Sequence, residues 1–79
     1  MNLNDWIESK GPGKVGCSAV ASLLGEKQRT VYAWYRKERA PCLRSACNIV
    51  RASSGAVDYN GIFRPLESTL ESRLTHAVG

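Results

Sequence analysis

Between Cys17 and Lys37 the chain carries two helical stripes interrupted by one glycine, and this interruption limits the possible folds more than any other feature. Cys17, Val20, Ala21 and Leu24 fall at i, i+3, i+4 and i+7, which is one face of a helix. Beyond Gly25, the residues Val31, Trp34 and Tyr35 repeat an i, i+3, i+4 stripe. At about 100° per residue, Arg29, Ala33 and Arg36 then cluster on the opposite face, with Tyr32 and Lys37 on its flanks. Gly25 suits the left-handed residue that ends a helix, and Glu26 and Lys27 complete the turn. Ala21 is expected where the two backbones approach, because a larger side chain would push them apart.

A chain of 79 residues makes one domain. It buries only about 60% of the surface its unfolded form exposes, so its core is small and a partner subunit is a common support. Cys17, Cys42 and Cys47 contain no CxxC pair, and His76 stands far from them. That is poor metal-ligand spacing, so no metal or cofactor is expected, and an odd count argues against a closed disulfide framework. Free thiols in a reducing cytoplasm are expected. No apolar run approaches the roughly 18 residues that span a bilayer, which points to a soluble protein without a membrane partner.

The net charge of +4 is unevenly spread. From Lys27 to Arg51 there are seven basic residues against Glu38 alone, so +6 sits mid-chain and the two ends together are slightly acidic. Such clustering is the electrostatic footprint of a polyanion partner.

Residues 1–10 read as a first helix, capped by Asn2 or Asn4, with Leu3, Trp6 and Ile7 as its inner stripe. GPG at 11–13 turns the chain, and Lys14 and Gly16 are expected just before the second helix. A fourth helix is expected over 42–54, with Leu43, Ala46, Cys47 and Val50 inward and Arg44, Asn48 and Arg51 on another face. Cys47 is expected as a small buried hydrophobe. Near 56–64, Val57 and Tyr59, Asn60-Gly61, then Ile62 and Phe63 fit a short β-hairpin with a type I′ turn. Pro65 closes that stretch, and the folded domain is expected to span 1–65. Residues 66–79 form either a tail or a docking helix, with Leu66, Leu70 and Leu74 in line and Ser68 with Glu71 as a capping box.

Two helices joined by a short turn containing Gly make a helix-turn-helix. Ala21, Gly25, Val31 and Trp34, spaced by four, six and three, match its small–Gly–aliphatic–aromatic pattern in the Cro/CI phage repressors. RTVYAWYRKERAP (29–41) resembles the recognition helix and proline-ended loop of that family, and SSGAV (53–57) with FRP (63–65) resembles the tail of small Cro-like and YdaS-like regulators of phages and prophages. The resemblance covers roughly residues 15–66. It implies an all-α, lambda-repressor-like bundle of four to five short helices, acting on a double-stranded DNA operator as a homodimer with helix 28–37 in the major groove. It also favours a helical turn capped by Asp58 over the hairpin at 56–64.

Under that resemblance Gln28, Arg29, Tyr32 and Ala33 are the expected base contacts. Gln pairs with adenine N6 and N7, Arg with guanine O6 and N7, and an alanine methyl meets the thymine methyl. Lys14, Lys27, Thr30, Arg36, Lys37 and Arg39 are the expected phosphate contacts, with Thr30 also a possible cap. Trp34 and Tyr35 are expected in the core. Two other functions fit parts of the sequence: an excisionase or MerR-type architectural protein, and an antitoxin-like protein-interaction module. The former follow the proline with a β-hairpin wing, whereas a helical pattern follows Pro41 here. No Ser/His/Asp set or phosphate loop is present and GPGK lacks Walker spacing, so neither an enzyme nor a small-molecule ligand is expected.

Overall fold

The structure, a computed structural model, describes residues 1–67. Among them there are five α-helices and no strand: α1 (Leu3–Ser9), α2 (Lys14–Leu24), α3 (Gln28–Tyr35), α4 (Leu43–Ala52) and α5 (Tyr59–Phe63), followed by a 3-10 turn over Arg64–Leu66. The expected helix over 66–79, with its Ser68–Glu71 box, lies outside the described residues except for Leu66 and Glu67. Leu66 is buried in the 3-10 turn, so the boundary expected after residue 65 passes through that turn.

α1 begins at Asn2, whose side chain accepts the Asp5 N–H at 2.8 Å. Asn4 does not cap. Its side-chain amide instead donates to the Tyr35 carbonyl at 3.0 Å, satisfying an acceptor that the end of α3 leaves open. α2 starts one residue after Gly13, so Lys14 and Gly16 belong to its first turn rather than preceding it. Gly16 is buried, and a Cβ there would overlap the carbonyl oxygens of Ile7 and Gly11. The end of α1 and the start of α2 are therefore in backbone contact, at a spacing only glycine permits.

α2 ends on Gly25 at φ +70°, and the Gly25 and Glu26 N–H groups both return to the Ala21 carbonyl, the Glu26 bond being 2.9 Å. The turn Gly25–Lys27 leads straight into α3. Cys17, Val20 and Ala21 of α2 and Val31 and Trp34 of α3 are buried together with Leu3, Trp6 and Ile7, while Leu24 packs half-buried at the margin. Burial pushes the Cys17 thiol up from its ordinary pKa, as for a packing residue.

Two expectations about α3 are corrected. α3 stops at Tyr35, two residues short of the expected 28–37: Arg36 is its cap and Lys37 lies at φ +61°. No glycine signals this stop, but the residue before Pro41 is barred from helical conformation and the chain must turn to launch α4. Tyr35 is half-buried rather than core, because its hydroxyl reaches out to donate to Glu8 at 2.6 Å. That bond to a carboxylate, chiefly, raises the phenol pKa.

In α4 the buried set is Ser45, Ala46 and Ile49; Leu43 is 73% exposed, and Cys47 and Val50 are half-buried. Ser45 is drawn inward by Glu26, to which its hydroxyl donates at 2.5 Å, and this rotates Leu43 into solvent. Cys47 lies beside the Tyr59 hydroxyl, with sulfur and oxygen 2.9 Å apart, so it borders α5 instead of filling the core.

The possible hairpin is absent as well. Asp58 accepts the Gly61 N–H at 2.7 Å and nucleates α5, and Asn60-Gly61 lies inside a helix. An Asx cap followed by a buried Ile62 outweighs the turn preference of Asn-Gly, since a two-stranded hairpin is marginal without a sheet to join. Val57 and Ile62 are buried under the bundle and Phe63 partly so.

Candidate functional site

Nine of the ten basic, polar and small residues singled out above come to one surface, built around α3. With Val31 and Trp34 pointing inward, the helical repeat turns Arg29 out; Gln28, the first residue of α3, is exposed as well. Tyr32 and Ala33 are half-buried on its two flanks, and Thr30 is half-buried beside Ala33. Lys27 caps α3 by its backbone conformation alone, and no side chain, Thr30 included, caps the first turn.

Two open hollows lie either side of the Lys27–Arg29 ridge. One, of about 510 Å³, is lined by Lys14, Lys27, Gln28, Arg29 and Tyr32. The other, of about 530 Å³, is lined by Lys27, Arg29, Thr30, Ala33, Glu38 and Arg39. The first is wholly cationic in its charged residues, and the second is mixed.

Tyr32 organises the cationic side. The Lys14 ammonium lies 5.4 Å and the Arg36 guanidinium 5.7 Å from its ring centre, within cation–π range. The ring also stacks against Tyr35 at 6.3 Å, 19° from parallel. α2 and α3 thus share one charged surface: Lys14 comes from the first turn of α2 and reaches the middle of α3.

Lys37 is the residue the fold separates from the others. Expected on helix 28–37 as a phosphate contact, it lies past the end of α3 and borders a groove with Asn2, Leu3, Trp34, Ile62 and Leu66. Its left-handed conformation turns it off the helical repeat on which that expectation rested.

Glu38 is the site residue that sequence reasoning counted only as an opposing charge. Its N–H donates to the Ala33 carbonyl at 2.9 Å, folding the chain back along α3, and its carboxylate meets Arg36 at 3.4 Å. An i, i+5 return of this kind leaves no trace in a 3.6-residue periodicity; only the residue at Lys37 that makes it possible would have signalled it, and it is not glycine.

Among the described residues no three His, Cys, Asp or Glu side chains gather as a metal site requires, and no helix is long and apolar enough to cross a membrane. Compared with known protein families, curated proteins and solved structures, the chain matches none. Function therefore rests on the chemistry of this surface.

Proposed function

We propose that this chain is a helix-turn-helix transcriptional regulator that binds double-stranded DNA in a sequence-specific way, acting as a Cro-like repressor of phage or prophage type. α2 and α3 are its helix-turn-helix, and α3 is the element that enters the major groove. The observation that carries this is the division of α3 into two faces. Val31 and Trp34 are sealed in the core while Gln28 and Arg29 stand clear, ringed by Lys14, Lys27, Arg36 and Arg39.

Arg29 offers the paired donors that read guanine O6 and N7, Gln28 offers the donor and acceptor that read adenine N7 and N6, and the surrounding cations fix register by meeting phosphates. Two subunits would set their α3 helices about 34 Å apart on an operator with approximate two-fold symmetry. Occupancy alone then represses, with no chemistry required. A winged architectural protein is less well supported, because α4 occupies the segment after Pro41 where a hairpin would be needed.

Selection of duplexes from a random pool tests the proposal. It should return a symmetric site whose binding falls steeply with rising salt, as release of counterions from several phosphates demands. Arg29→Ala should lose about 1–3 kcal/mol and relax preference at one position. A protein-interaction module such as an antitoxin would enrich no sequence and would hold its partner at high salt; that outcome would overturn the proposal.

A further inference from the structure

Lys14 stands at the start of α2, yet its ammonium lies 5.4 Å from the centre of the Tyr32 ring in the middle of α3. The Arg36 guanidinium approaches the same ring at 5.7 Å, so one aromatic side chain gathers a cation from α2 and another from the end of α3. The ring is itself held. It stacks on Tyr35 at 6.3 Å, and Tyr35 is tied to α1 at both ends. Its hydroxyl donates to Glu8 at 2.6 Å, and its carbonyl accepts the Asn4 amide at 3.0 Å.

A lysine can be held in place in two ways. A carboxylate would hold Lys14 but cancel much of the charge it offers to a phosphate. The face of an aromatic ring attracts the ammonium through its quadrupole and adds no charge, so the whole cation is left for a ligand. Lys14 is held in the second way. Among the described residues it forms no ion pair, and the hollow it lines with Lys27, Gln28, Arg29 and Tyr32 contains no acid. A long side chain already laid on a ring also has less rotamer freedom to lose when a phosphate arrives. Arg36 meets Glu38 at 3.4 Å, so Lys14 supplies the larger part of the charge on this flank.

We infer that Tyr32 is a positioning residue: its ring fixes the Lys14 ammonium, with Arg36, as a grip on the sugar-phosphate backbone beside α3, and it reads no base. This rests on the DNA-binding role proposed above and revises the base contact expected of Tyr32. The ground for the revision is geometric. Tyr32 lies half-buried on the flank of α3, with its ring engaged by Tyr35 and two cations, whereas Arg29 is exposed. Swinging the ring toward a base edge would give up all three contacts.

The test titrates a duplex selected from a random pool by the parent, together with its single-base variants, across a salt series. The proteins are the parent, Tyr32→Phe, Tyr32→Leu, and the Lys14→Ala/Arg36→Ala double variant with and without Tyr32→Leu. Leucine keeps an apolar side chain against the core but has no aromatic face, and phenylalanine keeps the face without the hydroxyl. Tyr32→Leu should weaken every duplex alike, by about two- to fivefold, the range that an exposed cation–π contact supports. Its salt slope should flatten by about 0.9, the share of one phosphate. Tyr32→Phe should bind as the parent does. Without Lys14 and Arg36, the leucine change should weaken binding by less than about twofold, since its effect runs through those cations.

An altered preference at one base position in Tyr32→Leu would show that the side chain reads that base. An equal loss in Tyr32→Phe would show that the hydroxyl meets the duplex, and an equal loss without the two cations would show that the ring acts by packing alone. Each of these overturns this inference and leaves the DNA-binding role standing, whereas a parent that selects no duplex removes both. Thermal melting of each variant separates loss of fold from loss of grip. A further measurement needs no variant: the Lys14 ε-methylene protons of the parent should resonate upfield under the Tyr32 ring current, and ordinary lysine shifts would overturn the inference.

Discussion

Where α1, α2 and α3 meet, Ile7, Cys17, Val20, Val31 and Trp34 close on one another and the backbone of Gly16 lies against two carbonyls of the preceding segment. The arm made by α4 and α5 is put together differently. It buries Ile49, Val57 and Ile62 in the same cluster, but polar bonds hold its turns. The Ser53 hydroxyl donates to the Val50 carbonyl and accepts the Val57 N–H at 3.1 Å, and Asp58 caps α5. Among the described residues one side-chain hydrogen bond, Ser45 to Glu26, fastens the arm to the turn between α2 and α3. The first region is specified by shape and the second by turn chemistry, so damage to the first should be larger and less forgiving.

The largest effect is expected from Gly16→Ala. In a free helix alanine would gain about 1 kcal/mol over glycine. Here its Cβ would overlap the Ile7 and Gly11 carbonyls, which are backbone and cannot swing aside. A net loss of about 3 kcal/mol is expected, at the severe end for overpacking. Urea titration measures it, and a neutral or stabilised variant would show that the α1–α2 approach is loose.

Ser45→Ala should come next, at about 1.5 kcal/mol, the low end for a hydrogen bond to a charged acceptor. Combined with Glu26→Ala in a double-mutant cycle, the two losses should be strongly non-additive. Additive losses would mean that apolar packing alone attaches the arm.

Lys37→Gly should act in the opposite direction. α2 ends in a left-handed glycine, whereas α3 ends in a left-handed lysine, a conformation that costs a side-chain-bearing residue about 1–2 kcal/mol. After the greater freedom of glycine in the unfolded chain is set against this, a gain of about 0.5–1 kcal/mol is expected, read as a higher urea midpoint. Unchanged specific DNA binding in this variant would agree with the placement of Lys37 away from the interface.

The smallest effect concerns Tyr35, whose bond to Glu8 joins α3 to α1. Its folded pKa is raised above the ordinary phenol value, chiefly because the neutral hydroxyl donates to a carboxylate. The stabilisation is therefore fully present below the unfolded tyrosine pKa and lost as pH rises through the folded value. Melting of Tyr35→Phe should accordingly decline less between neutral and strongly alkaline pH than melting of the parent. Equal declines would show that the bond contributes nothing.

Much of the inner framework could be read from residue order. Stripes at i, i+3 and i+4 identified Leu3, Trp6, Ile7, Cys17, Val20, Ala21, Val31 and Trp34, because burial on a helix follows its periodicity. Gly25 signalled its turn through a conformation that other residues adopt at a cost. The same logic failed for α4. There Leu43 and Ser45 exchanged places because a polar partner, Glu26, lies nineteen positions away and no local pattern reveals it. At 56–64 local turn chemistry left two readings open, a hairpin at Asn-Gly and the favoured helical turn capped by Asp58, and it is the turn that forms, because the Asp58 cap and the burial of Ile62 act together.

The outward set on α3 was legible for a related reason. Once Val31 and Trp34 are fixed inward, Arg29 must face out, whatever the rest of the chain does, whereas Gln28 is exposed because it opens the helix. The helix end was not legible, since a lysine in a left-handed turn is imposed by the path to α4 and not by any preference of lysine. Sequence alone therefore determined which face of α3 is offered, because helical repeat is a local property. Tertiary structure decided that Lys14 joins that face, that Lys37 leaves it and that Glu38 returns to it, because each depends on where separate segments meet.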